Sequence, residues 1–148
     1  MLARIRKAQQ GNEGGFTLIE LLVVMIIIGI LAAIAIPVFL SQRTKAQDSA
    51  AKADVSTIGK EIATYYVDNV TAPTLALTNS RYVLNGADIG KASTNVGLTM
   101  TLGAGALSFV SATKWCVDVT NAEGSQKIFK YSAKGGLENG ICLAGDVT

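Results

Sequence analysis

The stretch GGFTLIELLVVMIIIGILAAIAIPVFL, residues 14–40, decides how this chain folds. Its last part, from Leu21 to Leu40, has no charged side chain, and the only charge after the two glycines is Glu20. About 20 helical residues at 1.5 Å each span roughly 30 Å, the hydrocarbon thickness of a bilayer. The sequence therefore predicts a membrane-spanning helix with a single carboxylate at its start.

A basic leader precedes this stretch and ends at Gly15. It holds three of the 13 lysines and arginines and one of the 11 carboxylates, so residues 16–148 are balanced in side-chain charge. This imbalance is typical of a flank that stays in the cytoplasm beside a membrane span. It leaves the rest of the chain with no excess positive charge for binding nucleic acid.

The position of the small residues argues against an ordinary secretory signal peptide. Such a peptide has an apolar core of about 7–15 residues followed by a small-residue cleavage site. Here the apolar run is longer, and the small residues Gly14 and Gly15 precede it. Cleavage there would leave the apolar segment on the mature protein.

Helical patterning continues beyond the apolar run, through residues 41–69, which lack proline. Apolar residues recur there at spacings of three and four, while charged residues fall off this stripe. The stripe consists of Ala51, Val55, Ile58, Ile62 and Tyr65, and the residues off it include Lys52, Lys60, Glu61 and Asp68. We expect one continuous helix from near Phe16 to near Asp68, about 80 Å long at helical rise.

Three residues are expected to shape this helix. Gly29 lowers its stability by about 1 kcal/mol relative to alanine. Pro37 lacks an N–H donor and clashes with the preceding turn, which predicts a kink, although membrane helices also tolerate proline without a special role. Gly59 is expected to let the globular part of the chain pack closely against the helix.

The pattern changes after Asn69 to short segments separated by turn signals. We interpret TAPTLALTNS as a loop and NAEGS and KGGLENG as turns. The predicted strands are RYVLNG with its Asn-Gly turn, the alternating NVGLTMTL, then ALSFVSA, KWCVDVT, QKIFKYS and GICLA. Such a series predicts an antiparallel sheet, and the apolar stripe of the helix would cover it, which gives an α+β fold.

Two cysteines, Cys116 and Cys142, and the absence of histidine limit the chemistry. Cysteines placed beyond a membrane segment favour an oxidising exterior and one disulfide, and two reduced buried thiols are the alternative. Without histidine the chain lacks the commonest metal ligand and the commonest general base near neutral pH. We predict no catalytic residues, no metal site and no cofactor.

The residues from Gly14 to Leu40 closely resemble the signature of type IV prepilins. Gly15 followed by Phe16, then Thr-Leu-Ile-Glu ending at Glu20, then an apolar run containing Pro37, is similar to type IV pilins and to the pseudopilins of type II secretion. The resemblance is weaker over the rest of the helix. Beyond Asn69 it concerns only the layout of helix, antiparallel sheet and C-terminal cysteine pair.

The resemblance implies how such a chain is processed and assembled. A membrane-embedded prepilin peptidase and methyltransferase would cut between Gly15 and Phe16 and methylate the new amine of Phe16. The subunit would wait in the membrane as a single-pass protein, with its leader in the cytoplasm and its C-terminal domain outside. An inner-membrane platform with a motor ATPase would then extract it into a helical surface filament of identical subunits.

Four regions follow from this interpretation. Residues 1–15 are the cleaved leader, residues 16–40 the transmembrane and filament-core helix, and residues 41–69 its amphipathic continuation. Residues 70–148 form the globular antiparallel-sheet domain with one disulfide. In type IV pilins such a bridged C-terminal region is exposed on the filament and often contacts surfaces or partners.

Glu20 has a proposed role in setting the assembly register. Cleavage creates a positive amine on Phe16, and a bundle of apolar helices buries each amine in a low dielectric. The carboxylate of Glu20 on a neighbouring helix can pair with that amine and fix the stagger of otherwise featureless apolar faces. The alternative is an interfacial glutamate that is favoured by the helix dipole.

Other functions remain open at this point. The runner-up is the major pseudopilin of a type II secretion system, a class that resembles this N-terminus equally well and usually has a C-terminal acidic calcium loop and no disulfide. The present chain has Glu138 and Asp146 there, but also the cysteine pair. A single-pass membrane-anchored enzyme or binding protein leaves Gly15 and Glu20 unexplained. Adhesion, motility and DNA uptake are all compatible with a pilus.

Several weaker signals favour ordinary structure. The run Gly103-Ala104-Gly105 is too short for a phosphate loop and no P-loop lysine follows it. The three lysines Lys127, Lys130 and Lys134 suit a solvated face better than a binding site for DNA or an anionic surface. Asn69-Val70-Thr71 matches the glycosylation pattern, which has a high false-positive rate.

Overall fold

The computed structural model describes residues 15–98 and 109–147. Most of the leader, the second half of the predicted strand NVGLTMTL, the run Gly103–Gly105 and the start of ALSFVSA lie outside these residues. The chain divides into two compact units, Met1–Leu40 and Ser41–Thr148. One helix, α1 (Leu18–Asp68), contributes to both units, which confirms the predicted long helix.

The described part of the first unit is helix with its apolar side chains exposed. All the large apolar residues from Phe16 to Leu40 are solvent-accessible, with exposures from 47% to 90%. By length and composition this segment of α1 can cross a membrane. An apolar surface of this extent is not stable in water, so the segment needs lipid or other apolar helices around it.

In the second unit, one face of α1 is buried against the strands. The predicted stripe is confirmed at Ala51, Val55, Ile58 and Ile62, each with no exposed surface. The fifth position differs, because Tyr66 is buried and Tyr65 only partly so. A period of 3.6 residues permits both spacings, and the ring of Tyr65 stands edge-on to that of Tyr66 at 5.7 Å.

The first sheet is three-stranded and antiparallel, in the order β1-β2-β3: β1 (Leu75–Thr78), β2 (Arg81–Leu84) and β3 (Ala87–Lys91). Two-residue turns join its strands, and both residues of each turn have positive φ, as type I′ hairpin turns require. The turns are Asn79-Ser80 and the predicted Asn85-Gly86. Tyr82 and Leu84 point from the sheet into the core.

The second sheet has five antiparallel strands in which β6 is central. The order is β4-β6-β7-β8, and β5 pairs separately with β6. The strands are β4 (Val96–Leu98), β5 (Phe109–Ser111), β6 (Lys114–Asn121), β7 (Ile128–Ser132) and β8 (Gly136–Asn139). Val119 and Phe129, a cross-strand pair, belong to the core shared with α1. The residues of β6 directly before and after Val119 face the other side of the sheet, because successive side chains of a strand alternate.

Three assignments made from the sequence were wrong. TAPTLALTNS contains β1, because Asn79-Ser80 forms a hairpin turn, and KGGLENG contains β8, which pairs with β7 along its full length. The tail GICLA is not a strand but leads into a 3-10 turn, Ala144–Asp146. Two of its N–H groups donate to side chains: the Cys142 N–H to Asp118 and the Leu143 N–H to Asp146.

Two buried carboxylates attach α1 to the loops of the second unit. Asp54 accepts hydrogen bonds from the Tyr82 hydroxyl, the Ser93 N–H and the Ser93 hydroxyl, each at 2.8 Å. Asp48 accepts one from the Gln126 N–H at 3.1 Å. Because each buried carboxylate is hydrogen-bonded, its desolvation is offset, and the helix is fixed against both sheets.

The close approach expected at Gly59 is confirmed. A Cβ atom at this position would overlap the ring of Tyr131, which itself stacks on Trp115 with ring centroids 5.9 Å apart. Gly59→Ala is expected to lower the free energy of unfolding of the second unit by about 1–3 kcal/mol, despite its better helix propensity. Denaturant unfolding of the full chain in detergent measures this.

Gly29→Ala is the matched control, since no side chain of the described residues lies within 4 Å of the Cβ it would add. It should leave the unfolding midpoint of the second unit unchanged. A Gly59→Ala protein as stable as the unaltered chain would show that Tyr131 moves aside freely.

Candidate functional site

The N-terminus of α1 is closed by a reciprocal set of hydrogen bonds between Thr17 and Glu20. The backbone N–H and the hydroxyl of Thr17 donate to Glu20 Oε2 at 2.8 and 2.7 Å, and the Glu20 N–H donates to Thr17 Oγ1 at 3.3 Å. This is a capping box, which satisfies N–H groups that the first helical turn leaves free. Our sequence interpretation missed Thr17, although the Thr-x-x-Glu pattern could have revealed it.

The capping box determines where the single carboxylate of this segment lies. Glu20 is exposed, and among the described residues it has no salt-bridge partner. Around it lie exposed apolar side chains, including Phe16 at 90% and Ile19 at 67% exposure. The arrangement is a carboxylate oriented by Thr17 on an apolar surface.

Gly15 and Phe16 precede the helix and are both exposed. Among the described residues, no atom beyond its chain neighbours lies within 4 Å of the Cβ that a side chain at Gly15 would add. The described part of the chain therefore gives no packing reason for glycine at this position. The processing roles assigned to these two residues stay predictions.

Pro37 lies within α1, and the helix continues on both sides of it. Its missing N–H removes one hydrogen bond of the helix, as for any proline within a helix. The kink at this position stays a prediction.

The C-terminal strap, residues 140–147, is bonded covalently to the second sheet. Cys116 on β6 and Cys142 in the strap form a disulfide, with their Cα atoms 5.8 Å apart. Next to it, the Cys142 N–H donates to Asp118 Oδ2 at 3.0 Å. Burial raises the pKa of Asp118, and this hydrogen bond opposes the rise.

An ion-pair cluster holds the other part of the strap. Lys130 on β7 donates to Asp146 of the strap at 2.6 Å and lies 3.2 Å from Glu138 on β8. The hydrogen bond to Asp146 raises the pKa of Lys130. Burial alone would raise the pKa of Asp146, but the bonds from Lys130 and from the Leu143 N–H lower it overall.

This cluster shows that the prediction of one solvated face formed by Lys127, Lys130 and Lys134 is wrong. Lys127 and Lys134 are exposed, whereas Lys130 is buried and paired with two carboxylates. Lys130 is therefore not available to a ligand, and the three do not form one solvated face. Within the described residues, no group of side chains suits a metal ion.

The cluster gives the strap a defined pH dependence. Because the pKa of Asp146 is lowered in the folded chain, Asp146 stabilises the fold at pH values above its usual pKa of 3.8. This stabilisation is lost as the pH falls through the lowered pKa of the folded chain. Because the pKa of Lys130 is raised in the folded chain, Lys130 stabilises the fold at pH values below its usual pKa of 10.5. This stabilisation is lost as the pH rises through the raised pKa. Asp118 changes the stability with pH in the opposite direction to Asp146. Because its pKa is raised in the folded chain, the contribution of Asp118 to stability increases as the pH falls.

Lys130→Met is expected to lower the free energy of unfolding at pH 7 by about 2 kcal/mol, because it leaves Asp146 without its partner. A fully buried pair would lose about 3–5 kcal/mol, and the exposure of Glu138 reduces this. The difference from the unaltered chain should shrink at a pH below the lowered pKa of Asp146, where the carboxyl group of Asp146 is protonated. Lys127→Met, an exposed lysine, is the control for denaturant unfolding at both pH values.

Taken together, these features define a class of protein: a chain with a prepilin-type N-terminus, an exposed apolar helix and a disulfide-bonded antiparallel domain. The family model described as "Prokaryotic N-terminal methylation motif" matches residues 10–36. This match covers the capping box and most of the apolar run.

Curated relatives extend the similarity beyond the motif. The type II secretion system core protein G of Pseudomonas aeruginosa is 40% identical over 44% of this chain and 46% of its own length. The fimbrial protein EcpC of Eikenella corrodens is 39% identical over 61% and 63%. The type IV wide pilus major component PilA4 of Thermus thermophilus is 47% identical over 39% and 44%.

The motif and these relatives support the type IV pilin and pseudopilin superfamily for this chain, as its N-terminal resemblance implied. The chain spans between 44% and 63% of the length of these three relatives. No solved structure gives a significant match.

Proposed function

We propose that this chain is a structural subunit of a type IV pilus and assembles into a helical surface filament. The observation that carries the proposal is the apolar surface of α1 up to Leu40, which is exposed throughout and interrupted by one oriented carboxylate. In the membrane this surface contacts lipid, and in a filament it contacts copies of itself. We assign the chain no catalytic role.

The proposed processing prepares the chain to exchange its lipid contacts in the membrane for contacts with other subunits in the filament. A prepilin peptidase removes residues 1–15 and methylates the amine of Phe16, in agreement with the methylation motif over residues 10–36. Residues 16–40 then anchor a single-pass protein with residues 41–148 outside the cell membrane. An assembly platform and a motor ATPase extract the subunit into the filament.

Glu20 is proposed to select the register during assembly. Thr17 holds its carboxylate at the start of the helix, where the amine of a neighbouring Phe16 can replace solvent. Apolar surfaces alone slide with little preference, whereas a buried ion pair is stable only when both partners meet. One stagger of neighbouring helices is therefore favoured over the others.

The major pseudopilin of a type II secretion system is the second candidate, favoured by the protein G relatives. The strap provides an argument for the pilus. Glu138 and Asp146, the acidic residues that a calcium loop could use, are paired with the ammonium group of Lys130. The strap is also closed by a disulfide, which pseudopilins usually lack.

The test is to shear surface filaments from cells that make the chain and to determine the mass of their subunit. We expect a mass that begins at Phe16, plus about 14 Da for one methyl group and minus about 2 Da for one disulfide. Deleting the chain should abolish filaments and leave the export of folded enzymes unchanged. Intact filaments with lost enzyme export would instead support the secretion pseudopilin.

A further inference from the structure

The sequence contains two Asn-Gly pairs, Asn85-Gly86 and Asn139-Gly140. Asparagine followed by glycine is chemically labile, because glycine has no side chain to keep its backbone nitrogen away from the asparagine amide carbon. Asparagine is also one of the residues that proteins of hot environments use less, because it degrades on heating. Whether either pair reacts in the folded chain depends on how the structure holds its atoms.

Asn85 and Gly86 form the exposed turn between β2 and β3. The strand residues on either side, Leu84 and Ala87, pair with each other, so the turn lies beyond the end of the ladder. Among the described residues, the Gly86 N–H has no hydrogen-bond partner. This nitrogen can therefore lose its proton to a base in the solvent without any strand having to separate.

Thr74 donates two hydrogen bonds to the amide oxygen of Asn85. The Thr74 N–H donates to Asn85 Oδ1 at 2.7 Å, and the Thr74 hydroxyl group donates to the same oxygen at 3.0 Å. In return the Asn85 N–H donates to the Thr74 carbonyl at 2.8 Å, which fixes the two residues together. Attack on the amide carbon places negative charge on Oδ1, and donors already directed at that oxygen stabilise the charge as it forms.

Asn139-Gly140 is held differently, although its residue types are the same. Asn139 is the last residue of β8 and pairs with Phe129, and the Gly140 N–H donates to the Ile128 carbonyl at 3.0 Å. The Gly140 nitrogen can attack only after this hydrogen bond breaks and the end of β8 separates from β7. The rate of attack is then reduced by the small equilibrium constant of local opening.

We propose that Asn85 is a site of spontaneous deamidation in the folded chain and that the fold protects Asn139 from the same reaction. Hydroxide or water takes the Gly86 N–H proton, and the nitrogen forms a bond to Asn85 Cγ. The bond from Cγ to Nδ2 then breaks, and Nδ2 takes a proton from the solvent and leaves as ammonia, which gives a cyclic succinimide. Water opens this ring at either carbonyl to give aspartate or isoaspartate. One water is consumed and one ammonia is released for each asparagine, without any oxidant or reductant.

Deamidation changes both the charge of the chain and the turn between β2 and β3. Each event adds one negative charge to a chain whose residues 16–148 are balanced in side-chain charge. Isoaspartate also carries the backbone through its side-chain carbon, which lengthens a turn that has room for two residues. In that product the hydrogen bonds from Thr74 should weaken and β3 should separate more easily from β2. Older copies of the chain should therefore be more acidic than new ones and less stable in this sheet.

The test follows the mass of both sites in the full chain in detergent at mildly alkaline pH, since the reaction needs only the folded chain and water. Trypsin cleavage after Arg81 and Lys91 isolates Asn85, and cleavage after Lys134 with reduction of the disulfide isolates Asn139. Deamidation adds about 1 Da. In the folded chain Asn85 should react at least about tenfold faster than Asn139, and in denaturant the two rates should agree within about threefold. Equal rates in the folded chain, an Asn85 that does not react, or the same tenfold difference in denaturant would overturn the inference.

Thr74→Val tests the role of the donors at Oδ1, since it removes the hydroxyl group and keeps the backbone N–H and the shape of the side chain. It should slow the reaction at Asn85 about threefold or more in the folded chain and leave the rate in denaturant unchanged. Thr78→Val is the matched control, because Thr78 is an exposed threonine of β1 whose side chain makes no hydrogen bond among the described residues. It should leave both rates unchanged. A Thr74→Val chain that deamidates as fast as the unaltered chain, or faster, would overturn the role assigned to Thr74.

Discussion

Glu20→Ala is expected to be processed normally and to reduce filament yield at least about tenfold. Each filament helix would still bury a Phe16 amine, but without the carboxylate that pairs with it, and an unpaired buried charge is strongly destabilising. The amount of cleaved chain in the membrane should be unchanged, because the carboxylate is exposed and outside any salt bridge in the described chain. Quantification of sheared filaments against membrane-bound subunit measures the effect.

Glu20→Gln separates the two roles of this side chain. Glutamine can still complete the capping box with Thr17, but it cannot neutralise an amine. If charge pairing sets the register, Glu20→Gln is as defective as Glu20→Ala. Normal assembly of the glutamine variant would show that helix capping is the role of Glu20.

Gly15→Leu is expected to block processing and thereby abolish filaments. A peptidase must bring the backbone close to its catalytic groups, which glycine permits and a branched side chain hinders. The described residues give no other reason for an effect, because none of them beyond the chain neighbours of Gly15 lies within 4 Å of an added Cβ. The full-length chain should accumulate in the membrane with its leader attached, as mass spectrometry of the membrane fraction would show.

Gly11→Leu, also in the leader, is the control for a general effect of leucine on insertion. It should be cleaved and assembled normally. Cleaved, filamentous Gly15→Leu would mean that the processing site lies elsewhere in the chain.

The apolar pattern of the sequence was sufficient to predict the long helix and its buried face. Val55, Ile58 and Ile62 repeat with helical spacing, and the structure buries each of them completely. The hairpin at Asn85-Gly86 was also predictable, because few residues other than asparagine and glycine adopt positive φ easily. Both signals are local, so neighbouring residues alone determine them.

Strands that depend on pairing partners were harder to predict. β3 carries Asp88, Gly90 and Lys91, and β8 carries Glu138 and Asn139, so neither has an apolar alternation. Their backbones are held by antiparallel pairing with the adjacent strands, β2 for β3 and β7 for β8. Only the pairing, and not the residue types, makes them strands.

Buried charges were the main feature of the second unit that the sequence did not reveal. Asp48 and Asp54 belong to an amphipathic helix and could equally have faced solvent. They are buried because the N–H groups of Gln126 and Ser93 converge on them from other parts of the chain. Similarly, Lys130 is buried because Asp146 approaches it from the strap. Long-range contacts of this kind leave no local pattern.

The most direct test of the account is a reconstruction of the filament by electron cryomicroscopy at a resolution that shows side chains. We predict that residues 16–40 pack together at the filament axis, with each Glu20 carboxylate within about 4 Å of the Phe16 amine of a neighbouring subunit. A filament in which Glu20 contacts only its own Thr17, or in which residues 16–40 lie away from the axis, would contradict the account.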